Sequence, residues 1–395
     1  MPYVPEGFEL AGVPCGLKAS GRDDLALIHC PQGAVAAGVY TQNLVFAAPV
    51  EVDRSRTPRS DFRICVVNAA NANACTGERG LRNADEMTRL AAEACGARRE
   101  QALVMSTGVI GEYLEMEKIA SGIAAAHSQL GRDDDSFHAA SRAITTTDKG
   151  PKITRRSLTL NGGSALLSGM AKGAGMIGPR MATMLAVVMT DAALQTDDAQ
   201  QLLAAAVSAS FNRISVEGHM STNDTVLLIA SGKACGEPLR GDDLSAFSAE
   251  LTGACIELAK MIPDDGEGST HLIEIEVAGC RCEADADQIA RTIAASNLVK
   301  TAISGADPNW GRIVSAAGYA GPTFDPQRVS LVINGAAIYS NGVPEQFDAA
   351  ALSRSIRENR ETMIRLDLAG GDSSAKFWTS DLTVDYVTFN ADYHT

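Results

Sequence analysis

The stretch KGAGMIGPRMATMLAVVMT, residues 172–190, carries the pattern from which this 395-residue chain is interpreted. Its first part is rich in glycine and ends in Ala182 and Thr183. The residues that follow, from Met184 to Met189, form an unbroken apolar run, which is typical of a strand buried on both faces. A flexible peptide therefore leads into a threonine at the start of a buried strand.

Thr183 admits two interpretations. In the first, its hydroxyl attacks the Ala182 carbonyl and the chain cleaves itself, so that the new N-terminal threonine is a nucleophile with its own α-amine as base. An α-amine has a reference pKa of about 8, so it can accept and return a proton near neutral pH. In the second, Thr183 only begins a strand, where β-branched residues are common. The loop alone favours the second interpretation, and the rest of the chain decides between them.

The composition excludes several classes of function. The net charge is −14, which disfavours nucleic acids and anionic membranes because both are bound through basic surfaces. No apolar stretch is long enough to cross a bilayer, and residues 1–6 lack the pattern of a secretory signal. Nine cysteines without a CxxC pair indicate reduced thiols in a cytoplasm and disfavour a metal site. We therefore expect a cytoplasmic protein with small-molecule partners and no cofactor.

Apolar periodicity predicts an α/β fold with strands buried on both faces. Helices are predicted over about 83–96, 115–130, 196–207, 243–262 and 286–296. Strands are predicted over 64–67, 103–105, 184–190, 226–229, 272–277 and 363–368. Asn334-Gly335 between two apolar runs predicts a type I′ hairpin. Val384 to Phe389 also has a strand pattern, and we expect the chain terminus after it to be packed.

Two polar turns follow predicted strands. Ser106 to Gly111 comes after the strand 103–105, and its backbone N–H groups and the Thr107 hydroxyl are donors that can stabilise an oxyanion. The alternative is an ordinary strand-to-helix turn. Asn68 to Gly77 contains three asparagines alternating with alanine, a pattern compatible with a structural loop or with the lining of a polar pocket.

Three further clusters have a structural and a functional interpretation, and a fourth has a structural one. Thr145 to Asp148 and Ser221 to Thr225 are either helix or strand caps or sites for an amino-acid carboxylate. Asp264 to Gly268 is either a solvated acidic turn or a site where Glu267 holds a substrate ammonium group. Lys300 to Arg312, dense in Gly, Pro, Asp and Asn, predicts an ordered irregular loop.

Taken together, these segments closely resemble the ornithine acetyltransferase family, also called glutamate N-acetyltransferase or ArgJ. The patterns KGxGMIxPxMAT and KTAxxGxDPNWGR are the most specific part of the resemblance. The matching motifs occur in the family's order over nearly the whole chain: Asn68–Gly77, Ser106–Gly111, Thr146–Asp148, Lys172–Leu185, Ser221–Val226, Asp265–Gly268, Lys300–Arg312 and Asn390–Thr395.

The resemblance implies an ArgJ/DmpA-like α/β sandwich, distinct from the Rossmann fold, with a smaller C-terminal lobe from about residue 280. It implies self-cleavage between Ala182 and Thr183. The products would be an α chain, residues 1–182, and a β chain, residues 183–395, which stay associated in an α2β2 heterotetramer.

The resemblance also implies a double displacement in arginine biosynthesis. Thr183 would take the acetyl group from N2-acetyl-L-ornithine, and L-glutamate would collect it; use of acetyl-CoA stays open. The implied oxyanion hole is Thr107 and Gly108. The implied substrate contacts are Thr146 or the neighbouring Thr147, Lys172, Thr183, Glu267, Asn390 and Thr395.

Two other functions stay open as alternatives. A self-processed N-terminal-threonine amidohydrolase or aminopeptidase would use water as acceptor, so that it would yield acetate and no acetylglutamate. A non-enzymatic protein that binds small amino acids would have an uncleaved chain or a lost nucleophile, and the presence of Thr183 argues against it.

Overall fold

The structure, a computed structural model, describes residues 1–161, 163–178 and 184–392 of the chain. The strands are β1 Glu9–Val13, β2 Leu25–Tyr40, β3 Arg59–Asn68, β4 Ala102–Ser106, β5 Lys152–Leu160, β6 Gly163–Lys172, β7 Leu185–Thr190, β8 Ile214–Ser215, β9 Thr225–Ala230, β10 Leu272–Cys280, β11 Ser330–Ile333, β12 Ala336–Ser340, β13 Val343–Pro344, β14 Glu361–Asp367 and β15 Ser373–Ser380. The α-helices are α1 Ala48–Arg54, α2 Gly77–Ala94, α3 Met116–Ser128, α4 Asp134–Ala143, α5 Thr196–Ala209, α6 Gly241–Asp264, α7 Glu283–Ala295, α8 Asn297–Ser304, α9 Trp310–Gly318, α10 Ala349–Glu358 and α11 Val384–Asp392. Short 3₁₀ helices cover Arg99–Gln101, Phe211–Arg213 and Pro326–Arg328.

The long strand β2 divides the first sheet into two halves. The strand order of this sheet is β4-β3-β2-β9-β7-β6-β5, with β1 also on β2. The register of β2 shifts between His29 and Ala36, and its residues before the shift pair with β1 while those after it pair with β9. The first half therefore holds β1, β3 and β4, and the second half holds β9, β7, β6 and β5.

The two halves face each other across one buried core. Val67 and Met105 of the first half and Met170, Val187 and Leu227 of the second half belong to the same buried cluster. Helices α2 and α3 cover the outer face of the first half, and α5 and α6 cover the outer face of the second. This order of helices, sheet, sheet and helices confirms the predicted α/β sandwich, which differs from the parallel sheet of a Rossmann fold.

A second sheet has the strand order β13-β12-β11-β14-β10-β15-β8. Its core contains buried residues of α7, α8, α9 and α10. Helix α6 packs on β5 and β6 of the first sheet and also contacts β15 of the second, so it lies between the two sheets. Strand β8, which follows α5 in the chain, pairs in parallel with β15 at the edge of the second sheet.

The segment Lys300 to Arg312 is largely helical, so the predicted irregular loop is wrong there. Helix α8 begins after Ser296, whose hydroxyl accepts a hydrogen bond from Val299 N, and α9 begins after Asn309, whose side chain accepts from Arg312 N. Gly305, Asp307 and Pro308 lie in the short turn between the two capped helices, whereas Gly311 lies in the first turn of α9.

The segment Val384 to Phe389 is the first part of helix α11, so the predicted strand is wrong. The Thr383 hydroxyl accepts a hydrogen bond from Tyr386 N at 3.1 Å, which stabilises a helical first turn. The expected packing of this terminus is also wrong for the described residues, because no residue of α11 is buried. Val384 and Val387 lie on one helix face and are exposed. Alternating apolar residues in a short sequence do not show whether those residues are buried or exposed.

Helix α2 begins at Gly77, six residues before the predicted Asn83. Its first turn is mostly exposed and polar, so apolar periodicity appears only from Ala84 onward. The predicted Asn334-Gly335 hairpin is confirmed as the turn between β11 and β12, with positive φ at both residues. Within the described ranges, no helix combines the length and the apolar character needed to span a membrane.

Candidate active site

Residues that the sequence singled out lie near one edge of the second half of the first sheet, where β6 ends and β7 and β9 begin. Lys172 at the end of β6 lies opposite Leu185 at the start of β7, and Leu185 lies opposite Thr225 at the start of β9. The predicted cleavage residues Ala182 and Thr183, and the predicted substrate contact Thr395, lie outside the described residues.

The Lys172 ammonium group is buried among hydroxyl groups and one carboxylate. Its Nζ lies 2.8 Å from Thr146 Oγ1, 3.3 Å from Thr107 Oγ1 and 3.9 Å from Asp148 Oδ2. Burial lowers the pKa of Lys172, and the negative charge of Asp148 offsets part of that effect. A buried cation beside two hydroxyl groups is suited to hold the carboxylate of an amino acid.

The structure distinguishes Thr146 from Thr147, which the sequence alone could not. Thr146 contacts Lys172 Nζ, whereas the Thr147 side chain makes no hydrogen bond within the described part of the chain. Of the two candidates, Thr146 is therefore the one brought together with Lys172.

The Asp148 carboxylate holds this cluster in place through hydrogen bonds. Its carboxylate accepts hydrogen bonds from Gly173 N at 2.6 Å, from Thr146 N at 2.9 Å and from Lys152 Nζ at 2.7 Å. Burial acts to raise the pKa of Asp148, but the positive charges of Lys172 and Lys152 outweigh it and hold the pKa well below its ordinary value. Asp148 therefore stays ionised and fixes the backbone of Gly173, directly after Lys172, and of Thr146.

The turn after β4 has the geometry of an oxyanion site. Gly108 has a φ of +135°, and a Cβ on it would lie 2.1 Å from the Ala70 carbonyl carbon, so only glycine fits. The Thr107 amide is already bonded to Asn68 O at 3.0 Å, whereas the Gly108 amide makes no hydrogen bond within the described residues. The available donors are therefore the Thr107 hydroxyl and the Gly108 N–H.

Asn223 holds this turn in place. Its Nδ2 donates to Ala72 O at 2.6 Å and to Ser106 O at 2.8 Å, next to Thr107. The three alternating asparagines before it have structural partners as well, since Asn68 Nδ2 donates to Asn71 O and Asn73 Nδ2 donates to Gly80 O. The structural interpretation of that segment, as a hydrogen-bonded loop, is the one that the contacts support.

Glu267 and Asn390 come together although 123 positions separate them in the chain. Asn390 Nδ2 on helix α11 lies 3.2 Å from Glu267 Oε2. A Cβ on Gly175 would lie 2.4 Å from Glu267 Cδ, so the glycine leaves room for this carboxylate beside the loop that follows Lys172. Helix α11 is attached to the same region by the Thr383 hydroxyl, which donates to Gly268 O at 2.7 Å.

Glu217 is a residue near the site that the sequence did not single out. Its Oε1 accepts a hydrogen bond from Ile177 N at 2.7 Å, and its Oε2 has no partner within the described residues. Burial raises the pKa of Glu217 to about 7, although the Ile177 N–H and the Lys300 ammonium group act in the opposite direction. Glu217 therefore fixes the loop that leads to the predicted cleavage peptide.

Asp224 is a second residue near the site that the sequence pattern does not single out individually. It is completely buried, and its Oδ1 accepts a hydrogen bond from Met184 N at 3.1 Å. Its position directly before the apolar run of β9, in a segment with Asn223, is a sequence signal for a residue near the site. Whether its carboxyl group is buried depends on the tertiary structure. Asn223 thus contacts the oxyanion turn, and its neighbour Asp224 contacts Met184, the residue after Thr183.

Residues 9–395 match the ArgJ family. The arginine biosynthesis bifunctional protein ArgJ of Rhodopirellula baltica is 48% identical over 395 residues, which cover 99% of this chain and 96% of the relative. The protein of the same name from Symbiobacterium thermophilum is 46% identical, with 99% and 98% covered.

A crystal structure of the arginine biosynthesis bifunctional protein ArgJ from Bacillus halodurans is similar to part of the chain. The TM-score is 0.50 at 40% identity, and the match covers 51% of this chain and 96% of the crystallised one. The family match extends over nearly the whole sequence, and the two relatives exceed 40% identity over nearly their full length. The chain therefore belongs to the ArgJ family, and it is an acyltransferase of arginine biosynthesis.

Proposed function

We propose that the protein transfers the acetyl group of N2-acetyl-L-ornithine to L-glutamate through an acetyl-Thr183 intermediate. The nucleophile arises when the chain cleaves itself between Ala182 and Thr183 into residues 1–182 and 183–395. The observation that carries this proposal is the cluster of Lys172, Thr146 and Thr107 at the strand edge that leads to Thr183.

In the first half-reaction, Thr183 Oγ attacks the acetyl carbonyl carbon while its proton passes to the Thr183 α-amine. The oxyanion that forms accepts hydrogen bonds from the Thr107 hydroxyl and the Gly108 N–H. Lys172 donates toward Thr107 Oγ1, which leaves the hydroxyl proton of Thr107 free to point at the oxyanion. The bond to the ornithine nitrogen then breaks, and the amine returns its proton to that nitrogen.

In the second half-reaction, the unprotonated α-amine of glutamate attacks the acetyl-Thr183 ester. Its proton passes to the Thr183 α-amine and from there to Thr183 Oγ as the ester bond breaks. Ornithine and glutamate share an α-carboxylate, so the Lys172 ammonium group with Thr146 can hold both in the same place. Glu267 with Asn390 is suited to the positively charged side chain of ornithine.

Self-cleavage is supported by the length of the crystallised relative. The match covers 96% of that chain but only 51% of this one, so the crystallised chain is about half as long as this chain. A half-length chain is expected for a family whose members are cut near the middle. We propose further that the products form an α2β2 heterotetramer in the cytoplasm.

Denaturing mass spectrometry followed by an acetyl-transfer assay tests the proposal. We expect two masses that correspond to residues 1–182 and 183–395, and N-acetylglutamate as product from N-acetylornithine and glutamate. Acetate without N-acetylglutamate would instead indicate a hydrolase. One intact chain without turnover would indicate a binding protein.

Acetyl-CoA is tested as a second donor in the same assay. N-acetylglutamate formed from acetyl-CoA and glutamate would add the second activity to the first. Thr183→Ala is the negative control for both donors, because it removes the proposed nucleophile. A cleaved and active Thr183→Ala protein would contradict the mechanism.

A further inference from the structure

A recess of about 320 Å³ lies at the end of the first sheet opposite to the strand edge that carries Lys172. Ala230, the last residue of β9, lines this recess, whereas Thr225, the first residue of β9, lies at the edge near Lys172. Five residue steps of about 3.3 Å separate the two ends of β9, which is roughly 17 Å. The recess is therefore separate from the candidate active site.

Arg63 of β3 is one of the residues that line the recess. Its neighbours Phe62 and Ile64 pair with residues 34 and 29 of β2, so residues 30–33 of β2 lie opposite Arg63 alone. Side chains in a regular sheet contact the residue directly across from them, but an irregularity of this kind changes the direction of the side chain. The register shift in β2 therefore explains why Arg63 has no regular cross-strand neighbour.

The Arg63 guanidinium group makes no hydrogen bond and no ion pair within residues 1–161, 163–178 and 184–392, and its Nε is buried. The other half-buried arginines in these ranges each bind a carboxylate or a carbonyl oxygen: Arg56, Arg59, Arg89, Arg156, Arg213, Arg291 and Arg312. Because arginine stays protonated in proteins, Arg63 is a partly desolvated positive charge without a bound anion.

The charges around Arg63 make the recess positive, although the whole chain carries a net charge of −14. Asp61 supplies the one carboxylate among the described residues that line it. Arg59 Nη2 lies 2.6 Å from Asp61 Oδ1, and Arg98 Nη2 lies 2.8 Å from Asp61 Oδ2, so both oxygens of this carboxylate are already bound. Three guanidinium groups and one carboxylate leave a net charge of +2 at this place.

We propose that Arg63 binds the oxyanion of a small molecule, a carboxylate or a phosphate group, in this recess. The planar guanidinium group presents paired N–H donors that match two oxygens of such a group. The Ser60 hydroxyl also lines the recess and is a further donor, and Val35 and Leu194 give it an apolar wall for the rest of the ligand. The inference is independent of acetyl transfer, because the residues of the candidate active site do not line the recess.

Titration calorimetry on the full-length protein tests this inference, with phosphate and succinate as separate probes at constant ionic strength. We expect at least one of the two anions to bind saturably, and Arg63→Gln to weaken that binding by roughly 10-fold or more, as for the loss of a hydrogen-bonded ion pair. Binding of phosphate alone would identify the ligand group as a phosphate. Binding of succinate alone would identify it as a carboxylate.

Arg98→Gln is the matched control. Arg98 is exposed and bound to Asp61, so this substitution removes the same charge beside the recess but leaves the Arg63 guanidinium group in place. We expect the affinity for the anion to fall by less than about 3-fold, because an exposed charge is well screened. An anion bound at Lys172 would be insensitive to both substitutions, so the comparison separates the two places.

A second measurement uses only the wild type and decides the question if Arg63→Gln does not fold. Phenylglyoxal modifies accessible arginine side chains, and peptide mass mapping reports the rate at each position. The anion should slow the modification of Arg63 and leave that of Arg98 unchanged.

The inference is wrong if neither anion binds saturably, or if Arg63→Gln binds the anion as tightly as the wild type. Equal losses of affinity in Arg63→Gln and Arg98→Gln would also contradict it, since they would indicate a general effect of charge. The same holds if the anion does not change the rate at which phenylglyoxal modifies Arg63. None of these results bears on the proposed acetyl transfer, which is measured separately.

Discussion

At the scale of single residues, the region of the site contains two buried carboxyl groups whose pKa values are shifted in opposite directions. Asp148 has two ammonium groups beside it, and its pKa is held well below the ordinary value. Glu217 has only the weaker influence of Lys300, and burial raises its pKa to about 7. The balance between desolvation and nearby charge therefore decides which carboxyl group is ionised at neutral pH.

Glu217 gives a prediction about stability and pH. The folded protein holds its proton more tightly than the unfolded chain, in which the pKa is near 4.5. The unfolded chain therefore releases the proton first as the pH rises, and stability falls between pH 4.5 and about 7. Glu217→Gln cannot ionise and keeps an acceptor for Ile177 N. At pH 8 it should melt higher than the wild type, by roughly 2 °C.

Thermal unfolding of both proteins at pH 8 and pH 4.5 checks this prediction. The difference in melting temperature should be present at pH 8 and much smaller at pH 4.5, where Glu217 is protonated in the folded protein and about half protonated in the unfolded chain. Glu51→Gln, on an exposed position of α1, changes the net charge by the same amount and should show no such pattern. An equal difference at both pH values would rule out ionisation of Glu217 as its cause.

At the scale of secondary-structure elements, α11 brings a distant part of the chain to the site. Its first turn is tied to Gly268 through Thr383, and Asn390 on the same helix reaches Glu267. The helix buries none of its described residues, so its position depends on these polar contacts more than on apolar packing. Elements held in this way are the ones expected to move most easily.

Asn390→Ala tests the contribution of α11 to substrate binding. Without the amide, the Glu267 carboxylate loses a hydrogen-bond donor that fixes its orientation. We expect KM for N-acetylornithine to rise by roughly 3- to 10-fold, as for the loss of one hydrogen bond to an ionised group. The measurement is steady-state kinetics with N-acetylornithine varied at a fixed concentration of glutamate.

Asn359→Ala is a suitable control for this variant. Asn359 is exposed at the end of α10, and its Nδ2 bonds the carbonyl of Ser355, four residues earlier. Asn390 makes the same kind of bond to Tyr386 O, but only Asn390 also reaches Glu267. A rise in KM for both variants would mean that helix stability, and not the contact with Glu267, is responsible.

At the scale of the whole molecule, the proposed cut divides the chain but not the sandwich. Strands β6 and β7 pair across it, and so do β2 and β9. The core between the two halves of the first sheet contains residues from both sides of residue 182, among them Met170 and Val187. Cleavage would therefore break one covalent bond while the packing that joins the two products persists.

The two products should accordingly stay together until the protein unfolds. Native size-exclusion chromatography should give one peak that contains both masses, and denaturant should separate them. The unfolding midpoint of the cleaved protein should rise with protein concentration, because two chains must associate to refold. The uncleaved Thr183→Ala chain is the reference, with a smaller dependence on concentration. Two separate peaks under native conditions would contradict this prediction.

The sequence by itself determined the fold class and most of the site motifs. Apolar runs such as 184–190 and 226–229 predict strands because their length and lack of polar residues leave no exposed face, and β7 and β9 are indeed buried throughout. Lys172 ends strand β6 and Thr107 and Gly108 lie in the turn after β4, and the glycine and hydroxyl residues of these segments can be recognised in the local sequence. The helices at 297–318 and the helix α11 were missed, because their capping contacts overcome local turn and strand signals.

Only the tertiary structure decided which polar residues meet. Thr146 is separated from Thr147 by its contact with Lys172, and Glu267 meets Asn390 across the chain. Asp224 became visible only through its complete burial and its bond to Met184 N. The physical reason is that periodicity records which residues avoid water, whereas hydrogen bonds and desolvation depend on distances between segments that are far apart in sequence.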